Sequence, residues 1–160
     1  MLDLLPDLFD QYPDSLKLAE PLFNDYGAKP IFSGEIVTVS CFNDNSKVKE
    51  LVATNGQGKV MVIDGKGSTD RALLGDMLAE QAVKNGWQGI VIYGCIRDAG
   101  TIGLLPLGVK ALGCCPIKTK KLGVGIVNND VYFAGLHFTP GHFLYADKNG
   151  LAISQHYLEL

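Results

Sequence analysis

Two charged residues follow a run of apolar residues in the middle of the chain. The run Gly89–Tyr93 has the composition of a buried strand, and Arg97 and Asp98 come shortly after it. Ligands of open α/β sheets bind at the carboxyl edge of the strands, which is where these side chains are predicted to lie. A carboxylate there suits a hard divalent cation such as Mg²⁺, and arginine can hold a substrate carboxylate through two parallel hydrogen bonds. The alternative interpretation is a surface ion pair that ends a strand.

A second candidate site is the stretch of backbone formed by Gly75, Asp76, Met77 and Leu78. The sequence predicts that a helix begins there, and a helix N-terminus presents unpaired N–H groups that can bind a carboxylate or an enolate oxygen. Gly75 would let a ligand approach closely. In the alternative interpretation, Asp76 is an acidic residue of a first helical turn, where it stabilises the helix by about 0.3–1 kcal/mol.

Alternating strands and helices are predicted to position these residues. Apolar, β-branched runs indicate strands, and amphipathic runs that end at Gly or Pro indicate helices. The predicted strands are Glu35–Phe42, Lys59–Ile63 and Gly89–Tyr93, and the predicted helices are Asp3–Tyr12, Ser46–Thr54 and Asp76–Asn85. Since a crossover helix joins parallel strands, the loops at the carboxyl ends of the strands are the expected place for a ligand.

Beyond Gly123 the pattern changes to short strands and turns. The predicted strands are Val131–Phe133, Leu136–Phe138, Phe143–Tyr145 and Leu151–Ser154. The last two are joined by a turn that ends in Asn149-Gly150, a strong hairpin signal. The predicted fold class is therefore α/β: residues 1–160 form a single domain, with a central parallel or mixed sheet and additional antiparallel strands.

Composition excludes several classes of protein. A chain of 160 residues with 47% apolar and 19% charged residues has room for one domain and is too hydrophobic to be intrinsically disordered. The longest segment without Asp, Glu, Lys or Arg, Val131–Ala146, contains two His, one Pro and two Gly, so no membrane span is predicted. The acidic start Met1–Asp7 does not resemble a signal peptide, and we expect a cytoplasmic protein.

Charge argues against direct contact with nucleic acid. The net charge is −3, and the largest basic group is Lys118, Lys120 and Lys121. A separate apolar segment, Ile102–Val109, offers a candidate surface for packing of subunits.

Neither the cysteines nor the histidines form a recognisable catalytic or metal-binding pattern. The four cysteines include no C-x-x-C pair and are predicted to be free, buried thiols: Cys41, Cys95, Cys114 and Cys115. The three histidines are predicted to be packing or surface residues, with His142 the first candidate for any other role: His137, His142 and His156.

Several short motifs, spread over nearly the whole chain, resemble the regulators of ribonuclease E activity, the RraA-like family. The motifs are Glu20–Phe23, Gly34–Val39, Cys41–Phe42, Val62–Gly65, Arg71–Leu73, Val91–Gly94 and Leu144–Asp147. The resemblance implies a swivelling-type β/β/α domain that assembles as a homotrimer with sites at subunit boundaries. It also implies ribonuclease E as a partner.

The same superfamily includes the class II 4-hydroxy-4-methyl-2-oxoglutarate aldolases, which also decarboxylate oxaloacetate. Their signature is an Asp, twenty intervening residues and then Arg-Asp, and this chain has Asp76 followed at that spacing by Arg97 and Asp98. The ribonuclease regulators typically lack the aspartate after the arginine.

This similarity implies a role for each residue of the signature. Asp98 would bind the metal, Mg²⁺ or Mn²⁺, and Asp76 would orient metal-bound water. Arg97 would bind a 2-oxo acid substrate and stabilise its enolate oxygen. The amides of Gly75–Leu78 would hold the substrate carboxylate.

Three functional hypotheses follow from these resemblances. The first is a metal-dependent lyase, favoured by the complete set of Asp76, Arg97 and Asp98. The second is a non-catalytic regulator that binds and inhibits ribonuclease E, favoured by the overall resemblance. The third is a trimeric scaffold with a vestigial pocket.

Overall fold

The computed structural model describes residues 1–160, which form four helices and twelve strands. The helices are α1 (Leu5–Gln11), α2 (Ser46–Val52), α3 (Asp76–Lys84) and α4 (Ala99–Ile102). The strands are β1 (Lys17–Leu18), β2 (Asn24–Asp25), β3 (Phe32–Ser40), β4 (Lys59–Asp64), β5 (Ala72–Leu74), β6 (Gly89–Ile96), β7 (Gly108–Cys114), β8 (Ile126–Val127), β9 (Val131–Phe133), β10 (Leu136–Phe138), β11 (Phe143–Asp147) and β12 (Gly150–Ser154). None of the helices is both long and apolar enough to cross a membrane.

A ten-stranded mixed sheet forms the centre of the molecule. Its main path runs β1-β12-β11-β3-β4-β6-β7-β2, and β5 and β8 pair with β6 and β3. Strands β3, β4, β6 and β7 are parallel, with Val37 beside Met61, Met61 beside Ile90 and Ile90 beside Val109. The remaining neighbours on the path are antiparallel. The predicted mixed sheet with added antiparallel strands is confirmed.

The two faces of the sheet are covered differently. One face packs against the helices, where Val48 and Val52 of α2 and Ala79 and Ala82 of α3 are fully buried. The other face packs against the β9–β10 hairpin, whose Phe138 has no exposed surface. The resulting order of layers, hairpin then sheet then helices, is a β/β/α arrangement. It leaves the carboxyl ends of the parallel strands beside the starts of α3 and α4.

The segment Ile102–Val109 is buried at its two ends and exposed in its middle. Ile102 and Leu107 are fully buried and Val109 is 2% exposed, because this segment ends α4 and leads into the interior strand β7. Leu104 is 83% exposed, Pro106 is exposed and Leu105 is half-buried. The ends of the segment therefore belong to the core of their own chain, and its middle presents apolar side chains to solvent.

The cysteines are free thiols, as predicted, but they do not share one environment. Cys41, Cys95 and Cys115 are buried, whereas Cys114 is exposed, so its predicted burial is wrong. Cys114 is the last residue of β7 and lies where the sheet ends. Burial raises the pKa of the Cys41 thiol to about 12, and Asp44 and Asp64 add to the effect, so this thiol is protonated at neutral pH.

A buried carboxylate anchors α1 to the predicted β11–β12 hairpin. Helix α1 has no side-chain cap of its own, and the backbone N–H groups of Leu4 and Leu5 donate instead to Asp147 Oδ2 at 2.8 and 2.9 Å. Asp147 has no exposed surface and also accepts from the backbone N–H of Asn149 at 2.7 Å. Burial alone would raise the pKa of Asp147, but these hydrogen bonds outweigh it and lower the pKa.

We expect Asp147→Asn to destabilise the fold and to make the free energy of unfolding less sensitive to acidic pH. Because the folded-state pKa is lowered, the stabilisation is present above the ordinary Asp pKa of about 3.9 and is lost as the pH falls below it. Charge-assisted hydrogen bonds contribute about 1.5–3 kcal/mol, which sets the expected loss at pH 7. Urea unfolding of both proteins at pH 7 and pH 3 measures it. If the free energy of unfolding falls by the same amount from pH 7 to pH 3 in the wild-type and Asp147→Asn proteins, the prediction is wrong.

Candidate functional site

Arg97 and Asp98 lie directly after β6, at its carboxyl end. The strand is buried for nearly its whole length, and the chain turns sharply at Asp98, whose backbone is left-handed with φ 56° and ψ 41°. Aspartate tolerates this conformation better than most residues. The carbonyl of Asp98 then accepts the first hydrogen bond of α4, from Ile102 N–H at 2.9 Å. The turn places the Asp98 side chain at the sheet edge, as the sequence predicts.

The start of α3 meets this turn. Gly75 precedes the helix and provides no side-chain cap, and the backbone N–H of Asp76 donates to Asp98 Oδ2 at 2.9 Å. The next N–H, that of Met77, donates to Asp76 Oδ1 at 2.8 Å. Two of the predicted anion-binding amides therefore already bind carboxylate oxygens of the protein itself. The helix N-terminus and the Arg-Asp pair therefore form one cluster.

Gly75 is the point of closest approach between the two elements. A Cβ atom at this position would lie 2.9 Å from Asp98 Oδ2 and 3.3 Å from Arg97 Nε. The backbone of Gly75 is extended, with φ −125°, so the requirement for glycine comes from space alone. The side chains of Arg97 and Asp98 occupy the volume that any larger residue would need.

Arg97 remains available to a ligand. Its Nε lies 3.9 Å from Asp98 Oδ2, which is too long for a hydrogen bond, and the two side chains are 38% and 35% exposed. An ion pair of this length and exposure contributes little to stability. The alternative interpretation of Arg97 and Asp98 as a stabilising surface pair is therefore poorly supported by the geometry.

A cavity of about 160 Å³ lies beside this cluster and carries an excess of positive charge. Its lining residues are Asn45, Lys49, Ala72, Gly75, Asp76, Met77, Leu78, Arg97, Lys118 and Lys121. Four of them are cationic and only Asp76 is acidic, so the cavity favours an anionic ligand. Asp98 is not part of the lining. Two larger surface depressions, of about 600 and 730 Å³, contain none of the predicted site residues.

Sequence reasoning missed the lysines and Asn45 of this cavity. Lys118 and Lys121 belong to the largest basic group in the sequence, but no periodic pattern relates them to Arg97. They are brought to the site by a segment without regular structure, whose Ile117 carbonyl accepts a hydrogen bond from Ala72 N–H of β5 at 2.8 Å. Only the structure shows that these lysines lie near Arg97 in the lining of the cavity.

The carboxylates suit an open magnesium site. Asp98 and Asp76 each use one carboxylate oxygen to accept an N–H, and no group of three or more His, Cys, Asp or Glu side chains is arranged to hold a metal. Mg²⁺ commonly takes one or two protein carboxylates and completes its coordination with water and substrate oxygens. The residues present fit Mg²⁺ or Mn²⁺ bound in this way, with Asp98 as the ligand and Asp76 next to it.

The histidines lie apart from the cluster. All three line the depression of about 600 Å³, and none of the predicted site residues is part of its lining. His137 Nε2 lies 2.6 Å from Asp130 Oδ2, and the imidazole packs on the ring of Tyr132 at 4.3 Å between centroids. His142, the first candidate for another role, is part of this same depression. The structure thus keeps the histidines outside the candidate site.

A β/β/α domain that presents an arginine, two carboxylates and a helix N-terminus around a cationic cavity is a scaffold for binding small anionic molecules. The chain belongs to the RraA-like family, whose model, described as Aldolase/RraA, matches residues 4–153.

Similar proteins from several bacteria cover nearly the whole chain. A protein of Pseudomonas fluorescens is 58% identical over 151 residues, which is 94% of this chain and 93% of the relative. A protein of Hahella chejuensis is 58% identical over 149 residues, or 93% of this chain and 91% of the relative. A protein of Pseudomonas aeruginosa is 55% identical over 155 residues, or 97% of this chain and 96% of the relative. Each is named "Putative 4-hydroxy-4-methyl-2-oxoglutarate aldolase".

Two solved structures have the same fold as this chain but are described as proteins of different function. One, described as S-adenosylmethionine:2-dimethylmenaquinone methyltransferase from Geobacillus kaustophilus, has a TM-score of 0.95 at 45% identity and covers 98% of this chain and 97% of its own. The other, the RNA-processing inhibitor RraA from "Thermus thermophilis", has a TM-score of 0.94 at 34% identity and covers 99% of this chain and 96% of its own. Since three different names accompany one fold, function must be argued from the site.

We expect Gly75→Ala to reduce the activity of the site at least about tenfold while the protein stays folded, since misplacing catalytic groups by about 1 Å can cost 100-fold. The added methyl group would displace the Asp98 carboxylate and crowd Arg97, and the extended backbone accepts alanine without strain. Steady-state turnover and thermal unfolding, measured together, check both parts. Gly100→Ala, at an exposed glycine of α4 with open space around it and no left-handed backbone, is the control for a glycine change beside the same turn.

Proposed function

We propose that this chain is a metal-dependent lyase that cleaves 4-hydroxy-4-methyl-2-oxoglutarate to two molecules of pyruvate and decarboxylates oxaloacetate. The observation that carries the proposal is the contact between Asp98 and the start of α3, which brings Asp98 next to the cationic cavity that Asp76 and Arg97 line. The names of the bacterial relatives support the same reaction class.

The backbone at the start of α3 binds the carboxylate next to the keto group of the substrate. The amides of Asp76 and Met77 already accommodate carboxylate oxygens of the protein, and the substrate carboxylate takes their place. The helix dipole favours a negative charge at this point. This contact fixes the keto group toward Arg97.

Arg97 stabilises the charge that develops during the reaction. In carbon–carbon cleavage the 4-hydroxyl group gives its proton to water and becomes the keto group of one pyruvate, and in decarboxylation the lost carboxylate leaves as CO2. In both reactions the electron pair of the broken bond goes to a pyruvate enolate, whose oxygen becomes negative and whose carbon then takes a proton from water. A fixed guanidinium at that oxygen stabilises the transition state more than the ground state, which is the requirement for catalysis. No lysine needs to form a Schiff base in this chemistry.

Asp98 is the residue that would hold Mg²⁺ or Mn²⁺, and Asp76 would orient water bound to it. The bound metal supplies Lewis-acid polarisation of the substrate oxygens. The remaining cations of the cavity, Lys49, Lys118 and Lys121, suit a substrate with a second carboxylate. Both proposed substrates carry one.

An oxaloacetate decarboxylation assay tests the proposal. Pyruvate formation by the purified protein is measured with Mg²⁺, with Mn²⁺, and after removal of metal by a chelator. We expect turnover above the metal-catalysed background only with a divalent cation. The aldolase substrate is then assayed in the same way. If neither substrate is turned over under any of these conditions, the proposed function is wrong.

A second candidate function is regulation of ribonuclease E in the cytoplasm, supported by the likeness to the Thermus inhibitor. With a net charge of −3, the chain would act by covering a protein surface rather than by competing for RNA.

Under either function the family resemblance implies a closed homotrimer. Sedimentation of a monomer at micromolar concentration would contradict that assembly.

A further inference from the structure

The segment 117–124 carries Lys118 and Lys121 to the candidate site without forming a helix or a strand. Its single regular contact is a bridge between Lys118 and Ala72 at the start of β5. A segment of this kind loses much of its order unless side chains elsewhere bind its backbone. Its position beside Arg97 therefore depends on specific hydrogen bonds.

One set of bonds comes from the loop before α2. Asp44 is 3% exposed, and its Oδ2 accepts the backbone N–H groups of Leu122 at 2.9 Å and Val124 at 3.2 Å. The N–H between them, that of Gly123, donates to Ser46 Oγ at 3.0 Å. Ser46 itself donates to Asp44 Oδ1 through its hydroxyl at 2.6 Å and its N–H at 2.9 Å. Three consecutive amides of the segment are thus bound by two neighbouring side chains.

A second set of bonds holds the other end of the segment. The hydroxyl of Thr119, a residue that is 4% exposed, donates to Asn45 Oδ1 at 2.6 Å. The Asn45 amide group in turn donates to the Leu73 carbonyl of β5 at 3.2 Å. Thr119 stands next to Lys118 and two residues before Lys121, so this contact fixes the backbone between the two lysines of the cavity.

We propose that Asp44 and Thr119 are positioning residues that hold the segment 117–124, and with it Lys118 and Lys121, at the candidate site. Neither residue needs to touch the substrate. Burial alone would raise the pKa of Asp44, but the hydrogen bonds from Ser46, Val124 and Leu122 lower it to about 2, so the carboxylate is ionised throughout the neutral range. The consequence for activity rests on the proposed function, whereas the consequence for the order of the segment does not.

Limited proteolysis with trypsin tests the positioning without any assay of activity. The side chains of Lys118, Lys120 and Lys121 are exposed, so trypsin can reach them. The peptide bonds that follow these lysines resist cleavage only if the backbone of the segment stays fixed. We expect Asp44→Asn and Thr119→Val to accelerate native-state cleavage at these lysines at least about tenfold. Thr119→Ser keeps the hydroxyl and should be cleaved at the wild-type rate.

The matched control is Asp64→Asn, which makes the same chemical change at another buried carboxylate, at the end of β4. Asp64 is 6% exposed and its carboxylate accepts hydrogen bonds from Lys66, at 2.9 Å from the backbone N–H, and none from the segment 117–124. Its replacement should leave cleavage at Lys118, Lys120 and Lys121 unchanged. Should Asp44→Asn fail to fold, the Thr119 pair carries the test alone. Equal cleavage of the Thr119→Val, Thr119→Ser and wild-type proteins would overturn the proposal.

Steady-state kinetics separates positioning from general damage. In cleavage of 4-hydroxy-4-methyl-2-oxoglutarate, the lysines would bind the second carboxylate, which stays charged in both the ground state and the transition state. Thr119→Val should therefore raise KM for this substrate about tenfold and leave kcat within about threefold. Thr119→Ser should restore the wild-type KM. A fall in kcat with an unchanged KM would contradict positioning of the lysines. If the wild-type protein shows no lyase activity, the proposed function fails and the cleavage pattern still decides the role of Asp44 and Thr119.

Discussion

Replacing Asp98 with alanine is expected to abolish lyase activity while the protein remains folded. The change removes the carboxylate that would hold the metal, and loss of such Lewis-acid stabilisation, worth several kcal/mol, corresponds to about 1,000-fold or more in rate. The Asp98 side chain is 35% exposed and lies outside the core, so little packing is lost. Alanine in the left-handed backbone at this position costs about 1–2 kcal/mol, which is less than the stability of an ordinary domain. Since the amide of Asp76 is freed for the substrate, we expect the loss in kcat rather than in KM.

The measurement is turnover of oxaloacetate with saturating Mg²⁺, accompanied by circular dichroism to confirm the fold. Asp10→Asn, at an exposed position of α1, is the control for removal of a surface charge. Wild-type rates in Asp98→Ala would show that Asp98 is not needed for the reaction.

The same variant separates the two candidate functions. If inhibition of a ribonuclease uses an outer surface, Asp98→Ala should lack lyase activity, bind the nuclease in a pull-down and still inhibit RNA cleavage. Loss of both activities in a protein that remains folded would instead make the cavity itself the regulatory site.

Arg97→Lys should lower kcat/KM by more than about tenfold, or about 1.4 kcal/mol in transition-state stabilisation. Lysine keeps the positive charge but lacks the planar fork that binds two oxygens at once. The 3.9 Å separation from Asp98 leaves the Arg97 guanidinium free to make those two bonds to a ligand. A smaller loss would argue against bidentate binding by Arg97.

The chain contains one other arginine, which provides a matched control. Arg71 is outside the cavity lining, and its Nη1 donates to the neighbouring Asp70 carbonyl at 3.2 Å. Arg71→Lys should leave kcat/KM within about threefold of wild type. A large effect there would show that the assay responds to any arginine change.

Much of the site follows from local sequence patterns. The apolar run Gly89–Tyr93 predicts a buried strand, which continues to Ile96 in the structure, and the glycine before Asp76 marks the start of an amphipathic helix. Parallel strands share a carboxyl edge, so the contact between Asp98 and the Asp76 amide could be anticipated from the order of these elements.

The rest of the site depends on contacts between distant parts of the chain. Thr119 meets Asn45 across 74 positions of sequence, and no period or composition encodes that pairing. The segment Ile102–Val109 is ambiguous in sequence for a related reason. Its apolar residues suit either a subunit interface or an interior position, and only the path of the chain into β7 shows that Ile102 and Leu107 face their own core.

The left-handed backbone at Asp98 bears on how this family could diverge. Asparagine and glycine adopt φ near 56° as readily as aspartate does, so a single codon change can remove the carboxylate and leave the turn intact. A β-branched residue would strain the same turn. The scaffold can thus lose its chemistry in one step without losing its shape, and a lineage that does so keeps a folded surface on which selection for binding can act.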